Sequence, residues 1–144
     1  MRALLQRAGS ARVEVAGEVV GAIERGLLVL LGVARDDVMA DAERLARRTL
    51  ALRIFPDADK PMNRSLTDVG GALLVVSQFT LSADTSRGRR PGFSTAAPPE
   101  QALPLYEHFV GCCRERGVVV ATGRFGAAMQ VHLVNDGPVT FLLE

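Results

Sequence analysis

A short polar motif stands where an apolar stretch ends in the middle of the chain. Ser77-Gln78-Phe79-Thr80 follows residues 73–76, which are Leu, Leu, Val and Val. The apolar residues predict a strand over residues 72–79, and a strand end that feeds a loop is a common place for functional groups. A hydroxyl, an amide and backbone N–H groups could form a pocket floor there. The same side chains could instead satisfy nearby backbone groups, and the motif alone favours that interpretation.

A second polar motif lies near the C-terminal end. Asn135-Asp136-Gly137-Pro138 separates two stretches with strand-like alternation, residues 129–133 and 139–143. Asp-Gly between two strands is a strong hairpin signal. Only about 5–6% of peptide bonds before proline are cis, so composition does not predict a cis Gly137–Pro138 bond. Taken alone, this motif predicts an ordinary turn.

Several common site motifs do not occur in the sequence. It contains no G-x-x-x-x-G-K phosphate loop, no G-x-G-x-x-G, no H-E-x-x-H and no G-x-S-x-G. The two histidines, His108 and His132, are isolated from one another. We therefore expect no metal and no cofactor. The formal net charge is +1, so any contact with nucleic acid must come from a local basic patch.

The periodicity of the remaining residues predicts about seven strands and two helices. One helix should begin at the N-caps Asp36 and Asp37 and run to about residue 50. The other should begin near residues 98–99 and end at Gly117, with Pro104 kinking it or delaying its start. Most strands come in hairpins. The prediction is an α+β fold with mainly antiparallel β-sheets and two helices packed on one side, in a three-layer ββα sandwich-like arrangement.

The chain has 144 residues, which predicts a single domain over residues 1–144. Cys112 and Cys113 are adjacent, so they cannot easily form a good disulfide, and we expect two reduced thiols. The first residues lack the apolar segment of a signal peptide, and no apolar run approaches the ~20 residues of a membrane span. These features favour a cytoplasmic protein with no membrane partner.

The two polar motifs occur together with several others in a characteristic order. This combined pattern closely resembles the D-aminoacyl-tRNA deacylase family, and the resemblance covers nearly the whole chain. The segments that carry it are Arg7, Ala11-Arg12-Val13, Gly26-Leu27-Leu28-Val29, Leu52-Arg53-Ile54-Phe55, Met62-Asn63, Ser77-Gln78-Phe79-Thr80-Leu81, Arg89-Arg90-Pro91, Gly123-Arg124-Phe125-Gly126-Ala127, Met129 and Asn135-Asp136-Gly137-Pro138-Val139-Thr140.

The resemblance implies a homodimer whose active sites lie at the subunit interface. The Gly137–Pro138 peptide would be cis and would reach into the partner's pocket, facing Ser77 to Thr80. Its rigid main chain would reject L-aminoacyl groups. It would make little contact with the side chain of a D-aminoacyl group, so many different D side chains should be accepted. Glycine has no side chain, so glycyl-tRNA mischarged on tRNA(Ala) should also be hydrolysed. The residues implied in substrate binding are Gly137, Pro138, Arg7, Met129 and Asn135.

The resemblance also implies the reaction, which is hydrolysis of the ester between a D-amino acid and the acceptor end of tRNA. Ser77, Gln78, Phe79 and Thr80 are the implied catalytic residues, with backbone N–H groups near Phe79 and Thr80 stabilising the oxyanion. Thr80 could be a nucleophile, but neither motif supplies the base that it would need. We therefore favour assistance by the ribose 2′-hydroxyl, with Thr80 positioning groups.

Three arginines in an exposed-looking loop could contact tRNA phosphates. They are Arg87, Arg89 and Arg90, and a solvated loop explains them equally well. Two other functions remain open at this stage. The chain could be a homodimeric module that binds a metabolite or RNA without chemistry, or a different esterase or amidase that uses the same pocket.

Overall fold

A computed structural model describes residues 1–144 and contains six strands and three α-helices. The helices are α1 Met39–Ala51, α2 Leu66–Val69 and α3 Pro99–Glu115, and a short 3₁₀ helix spans Phe79–Ser82. The strands are β1 Arg2–Val15, β2 Glu18–Ile23, β3 Gly26–Gly32, β4 Ala72–Ser77, β5 Val120–Thr122 and β6 Gln130–Leu143.

All six strands belong to one mixed sheet. β1 pairs antiparallel with β2, β3 and β6, whereas β3, β4 and β5 pair parallel to one another. The parallel pairs arise because α1 and α3 cross over between β3, β4 and β5, as parallel connections require. The predicted α+β class is confirmed. The prediction of mainly antiparallel sheets missed the parallel pairs β3–β4 and β4–β5, because α1 and α3 were not recognised as the helices of βαβ units.

Two hydrophobic cores lie on opposite faces of β3 and β4. Leu27 and Val29 of β3 belong to the core that α1 and α3 cover. Leu28, which lies between them, belongs to the second core with Val13 and Val76. Successive side chains of a strand point to opposite faces, so one strand serves both cores. The helices therefore cover one face, while β2 and the second half of β1 fold over the other.

The largest departure from the sequence prediction lies in β6. Two strands and a turn were expected, but a single strand runs along β1 from Gln130 to Leu143. Its partners change abruptly, because Gln6 pairs with Thr140 and Ala8 pairs with Asn135. Residues 136–139 therefore bulge out opposite a single residue of β1, and we call them the Gly-Pro bulge. The hairpin prediction was wrong because Asp-Gly serves equally well in a bulge.

The helices differ from prediction in smaller ways. α1 begins after Val38 rather than after Asp37, and the Asp37 carboxylate instead accepts a hydrogen bond from the Ala34 N–H at 2.7 Å. α2 was not predicted. Pro104 lies inside α3 without delaying its start at Pro99, and its ring removes only the one N–H group that would donate to the carbonyl of Glu100. No helix is both long and apolar enough to cross a membrane.

Candidate active site

The first polar motif lies where β4 ends and the chain turns sharply. Ser77 is the last residue of β4 and pairs with Leu31 of β3. The N–H of Gln78 still donates to the Leu31 carbonyl at 2.8 Å, after which the 3₁₀ helix begins at Phe79. The predicted strand over residues 72–79 is therefore too long by two residues. The ladder positions Ser77 and Gln78, and the 3₁₀ helix positions Phe79 and Thr80.

This turn leaves two adjacent backbone donors unused. The N–H groups of Phe79 and Thr80 donate to no other group of the chain, because they open a helix and have no acceptor one turn earlier. The Gln78 amide donates through Nε2 to the Thr80 hydroxyl oxygen at 2.5 Å. The hydroxyl proton of Thr80 is therefore available to a third group. This arrangement can stabilise a negatively charged oxygen at the end of the strand.

Gly32 allows the 3₁₀ helix to lie close against β3, and sequence reasoning missed it. A Cβ at Gly32 would lie 2.9 Å from Cβ of Leu81 and 3.1 Å from the carbonyl oxygen of Gln78. Real Cβ atoms essentially never come within 3.0 Å of another heavy atom in this way. Only glycine therefore fits without moving the motif. The sequence offers no signal for this, because Gly32 simply ends an apolar strand.

A cavity of about 490 Å³ opens beside the motif, and we call it the main cavity because of this position, although a cavity of about 520 Å³ lies between β1, β2 and β6. Of the predicted site residues, Ser77, Gln78, Phe79 and Met129 line it, whereas Thr80 is exposed at its edge. A mostly apolar cavity with a few convergent polar groups is the usual form of a small-ligand site. The rest of the lining was not predicted as site residues and consists of Val33, Val76, Ala97, Pro99, Ala102, Phe125, Gly126, Ala127 and Val131.

Arg7 holds the Gly-Pro bulge to the body of the protein. Its side chain is only 10% exposed, and Nε donates to the Asp136 carbonyl at 2.9 Å. Nη1 donates to the Ile54 carbonyl at 2.7 Å. Nε also lies 3.5 Å from the Asp136 carboxylate. Arg7 is therefore a buried cross-link between the bulge and the segment at Ile54 rather than a surface arginine.

The bulge is also held from within. Asn135 accepts the Val139 N–H at 2.9 Å and donates to the Thr140 hydroxyl at 3.1 Å, which bridges the two ends of the bulge. The Gly137–Pro138 peptide is cis, as the resemblance implies. Gly137 has φ of +144°, and a Cβ there would lie 2.6 Å from a methyl group of Val139. The bulge is thus a fixed main-chain projection whose tip is exposed.

Within one chain the bulge does not reach the main cavity. Arg7, opposite the bulge, pairs with Leu27, whereas Ser77 at the cavity pairs with Leu31. Four residues along the strands correspond to about 13 Å, and the three strand spacings from β6 to β4 add about 14 Å across the sheet. The two predicted halves of the site are therefore roughly 20 Å apart in a single subunit.

The three predicted tRNA-binding arginines lie in one exposed loop, residues 84–92, which we call the arginine loop. Two hydrogen bonds between the backbones of Asp84 and Gly92, each 2.8 Å, close it. Arg87, Arg89 and Arg90 are exposed, and none has an acidic partner. Hydrogen bonds from Ser86 hold the pKa of the Asp84 carboxyl below its usual range.

Main-chain donors beside an apolar cavity are an arrangement that acyl-transfer enzymes use to stabilise an oxyanion. A family model described as D-Tyr-tRNA(Tyr) deacylase matches residues 4–144. The chain therefore belongs to this family of ester hydrolases, which confirms the resemblance read from the motifs and the expectation of an enzyme.

Curated relatives agree with this assignment, and two solved structures share the fold. The chain is 60% identical over 144 residues to a D-aminoacyl-tRNA deacylase of Stutzerimonas stutzeri, covering 100% of this chain and 99% of the relative. It is 61% identical to one of Roseiflexus sp., covering 100% and 93%. A solved structure titled c-Myc DNA Unwinding Element Binding Protein superposes with a TM-score of 0.94 at 42% identity, covering 100% and 98%. A probable eukaryotic D-amino acid tRNA deacylase shares the fold, with a TM-score of 0.86 at 20% identity, covering 99% and 97%.

Proposed function

We propose that this protein hydrolyses the ester bond of D-aminoacyl-tRNA and releases the free D-amino acid and tRNA. The observation that carries the proposal is the pair of unused N–H groups at Phe79 and Thr80, which lie beside a cavity lined by Ser77, Gln78 and Met129. The test is the release of amino acid from D-aminoacyl-tRNA, compared with L-aminoacyl-tRNA of the same side chain. Hydrolysis of neither ester would favour a module that only binds its ligand.

The two N–H groups supply the stabilisation that the reaction needs. Attack of water on the ester carbonyl carbon places negative charge on the carbonyl oxygen. The backbone N–H groups of Phe79 and Thr80 would donate hydrogen bonds to this oxygen. The tetrahedral intermediate then collapses, the bond to the ribose oxygen breaks, and that oxygen leaves with a proton. One such donor is typically worth about 10²–10³ in rate. Because both donors belong to the main chain, side-chain replacement cannot delete them directly.

Thr80 acts by position rather than as a nucleophile in this proposal. Its hydroxyl oxygen accepts a hydrogen bond from the Gln78 amide, and an amide cannot remove a proton. The ribose 2′-hydroxyl of the substrate would assist the attack instead. Thr80→Ala should therefore keep measurable turnover, and Thr80→Ser should keep nearly all of it. Complete loss of turnover in Thr80→Ala with normal substrate binding would revive the nucleophile role.

The roughly 20 Å between the bulge and the main cavity supports a homodimer in which each site uses both subunits. β6 is an edge strand along its whole length, and Val134 and Leu142 on it are at least half exposed. Long exposed edges with apolar side chains are normally covered in native proteins. A second copy of the chain would cover this edge and bring the partner's Gly-Pro bulge to the cavity. The fixed main chain of the bulge would then block an L side chain.

Mixed dimers test the shared site directly. One subunit carries Gly32→Val, which disrupts the cavity motif, and the other carries Gly137→Val, which disrupts the bulge. If each site combines the two subunits, the mixed dimer keeps one intact site and about half of the wild-type activity. If each chain is self-sufficient, the mixed dimer is as inactive as the two parent variants. A monomer in solution would contradict the shared site outright.

Two further parts of the proposal concern the substrate. The bulge rejects a substrate through a clash with its side chain, and glycine has no side chain. We therefore expect glycine mischarged on tRNA(Ala) to be hydrolysed at a rate between those of the D and L esters. The unpaired guanidinium groups of the arginine loop would contact phosphates near the acceptor end of the tRNA.

The expected compartment is the cytoplasm, where the free thiols of Cys112 and Cys113 stay reduced.

A further inference from the structure

Two aromatic rings lie exposed at the rim of the main cavity. The side chains of Phe79 and Phe93 are 53% and 40% exposed, although phenylalanine is among the residues most often buried. Their ring centroids are 5.1 Å apart at an interplanar angle of 60°, an edge-to-face contact. We call them the aromatic pair. The proposed reaction uses the backbone of Phe79 and leaves both rings without a role.

Phe93 is held in place from both sides. The arginine loop closes at Gly92 immediately before it, through the two hydrogen bonds with Asp84. Immediately after it, the Ser94 carbonyl accepts a hydrogen bond from Nε of Arg35 at 2.5 Å, and the Thr95 hydroxyl donates to the Ser82 carbonyl at 2.5 Å. The second bond ties Phe93 to the 3₁₀ helix that begins at Phe79. The pair is therefore a preformed apolar surface rather than two mobile side chains.

The charge beside the pair indicates what it could bind. The arginine loop adjoins Phe93 in sequence and carries Arg87, Arg89 and Arg90 with no acidic partner. Proteins that bind single-stranded nucleic acid combine a basic track for the backbone with aromatic rings on which bases stack. Here the aromatic pair lies between that basic loop and the cavity.

We propose that the aromatic pair stacks the base of the nucleotide next to the terminal one at the tRNA 3′ end. This inference rests on the proposed function, because the terminal, esterified nucleotide must occupy the main cavity. The preceding base then meets the exposed rings, and its phosphates run toward the arginine loop. Phe93 is a binding residue in this arrangement. It holds the single-stranded end in line with the donors at Phe79 and Thr80.

Two substrates separate stacking from a structural role. D-aminoacyl-tRNA contains the neighbouring base, whereas the same D-amino acid esterified to adenosine does not. Phe93→Leu keeps an apolar side chain and loses the aromatic face. It should lower kcat/KM for the tRNA about tenfold, mainly through KM, and leave the adenosine ester nearly unchanged. Phe93→Tyr keeps the ring and should restore the tRNA value. An equal loss on both substrates would mean that Phe93 only supports the fold, and no loss on either would also overturn the proposal.

A binding measurement keeps the inference independent of turnover. A short RNA with the sequence of the 3′ end carries 2-aminopurine at the penultimate position, and stacking on an aromatic ring quenches its fluorescence. The wild-type protein and Phe93→Tyr should quench it on binding, and Phe93→Leu should not. Quenching without deacylation would retain the subsite and reject the proposed reaction. Unquenched binding by wild type, or a Phe93→Leu protein with an altered oligomeric state, would overturn the subsite in favour of a contact between protein chains.

Discussion

Replacing Gly32 with alanine tests whether the position of the 3₁₀ helix controls activity. The added Cβ would lie 2.9 Å from Cβ of Leu81 and 3.1 Å from the Gln78 carbonyl oxygen. Carbon atoms in good contact are about 3.5–4.0 Å apart, so the motif must move by roughly 0.6–1 Å. A displacement of about 1 Å of groups that orient a substrate can cost about 10²-fold in rate. Overpacking of this kind costs about 1–3 kcal/mol of stability.

The assay is kcat/KM for a D-aminoacyl-tRNA together with the thermal midpoint of unfolding. We expect about a hundredfold loss of kcat/KM in Gly32→Ala with a folded protein at the assay temperature. Leu45→Val is the matched control, because Leu45 is fully buried in the core under α1 and its truncation costs about 1 kcal/mol away from the site. An unchanged rate in Gly32→Ala, or an equal loss in Leu45→Val, would refute the reasoning.

Three other perturbations have defined outcomes. Arg7→Lys keeps a charge but loses the planar fork that reaches two carbonyls, so the ratio of D to L hydrolysis should fall, whereas an unchanged ratio would show that the bulge holds itself. Replacing the three arginines of the arginine loop by glutamine should weaken the binding of all tRNAs to the same extent. It should also reduce the slope of log affinity against log salt concentration by up to about 2. A loss of affinity confined to one tRNA would exclude phosphate contacts. Burial raises the pKa of the Cys113 thiol from 9.0 to about 12 and that of the Tyr106 phenol from 10.0 to about 12. The unfolded chain releases these protons first, so this part of the stability is complete below about pH 9 and is lost as pH rises toward 12. Tyr106→Phe should make the free energy of unfolding, measured with denaturant, fall less steeply as pH rises. An unaltered fall would contradict a contribution from Tyr106.

The sequence predicted the α+β class and the positions of most elements, because their apolar periodicity is regular. It failed at residues 135–138, where an Asp-Gly pair is typical of a hairpin turn. The long pairing of β6 with β1 is decided by residues more than a hundred positions away, such as Ala3 opposite Leu143. No local pattern contains that information. The resemblance to the family implied the cis Gly137–Pro138 peptide, but not that residues 130–143 form one strand.

The candidate site was predictable in its motifs and not in its geometry. Ser77, Gln78, Phe79 and Met129 were expected and line one cavity. The separation of the Gly-Pro bulge from that cavity follows from strand register, which depends on the whole sheet. Gly32 was missed because its role is a close approach between two segments distant in sequence. Phe93 was missed because its contact with Phe79, fourteen residues earlier in the sequence, depends on the fold.

The most direct test of the account is the rate of deacylation of one tRNA charged with the D and the L form of the same amino acid. The account predicts a preference for the D ester of at least about a hundredfold, because the bulge displaces an L side chain from the donors at Phe79 and Thr80. Equal rates for the two enantiomers, or a preference for the L ester, would contradict it.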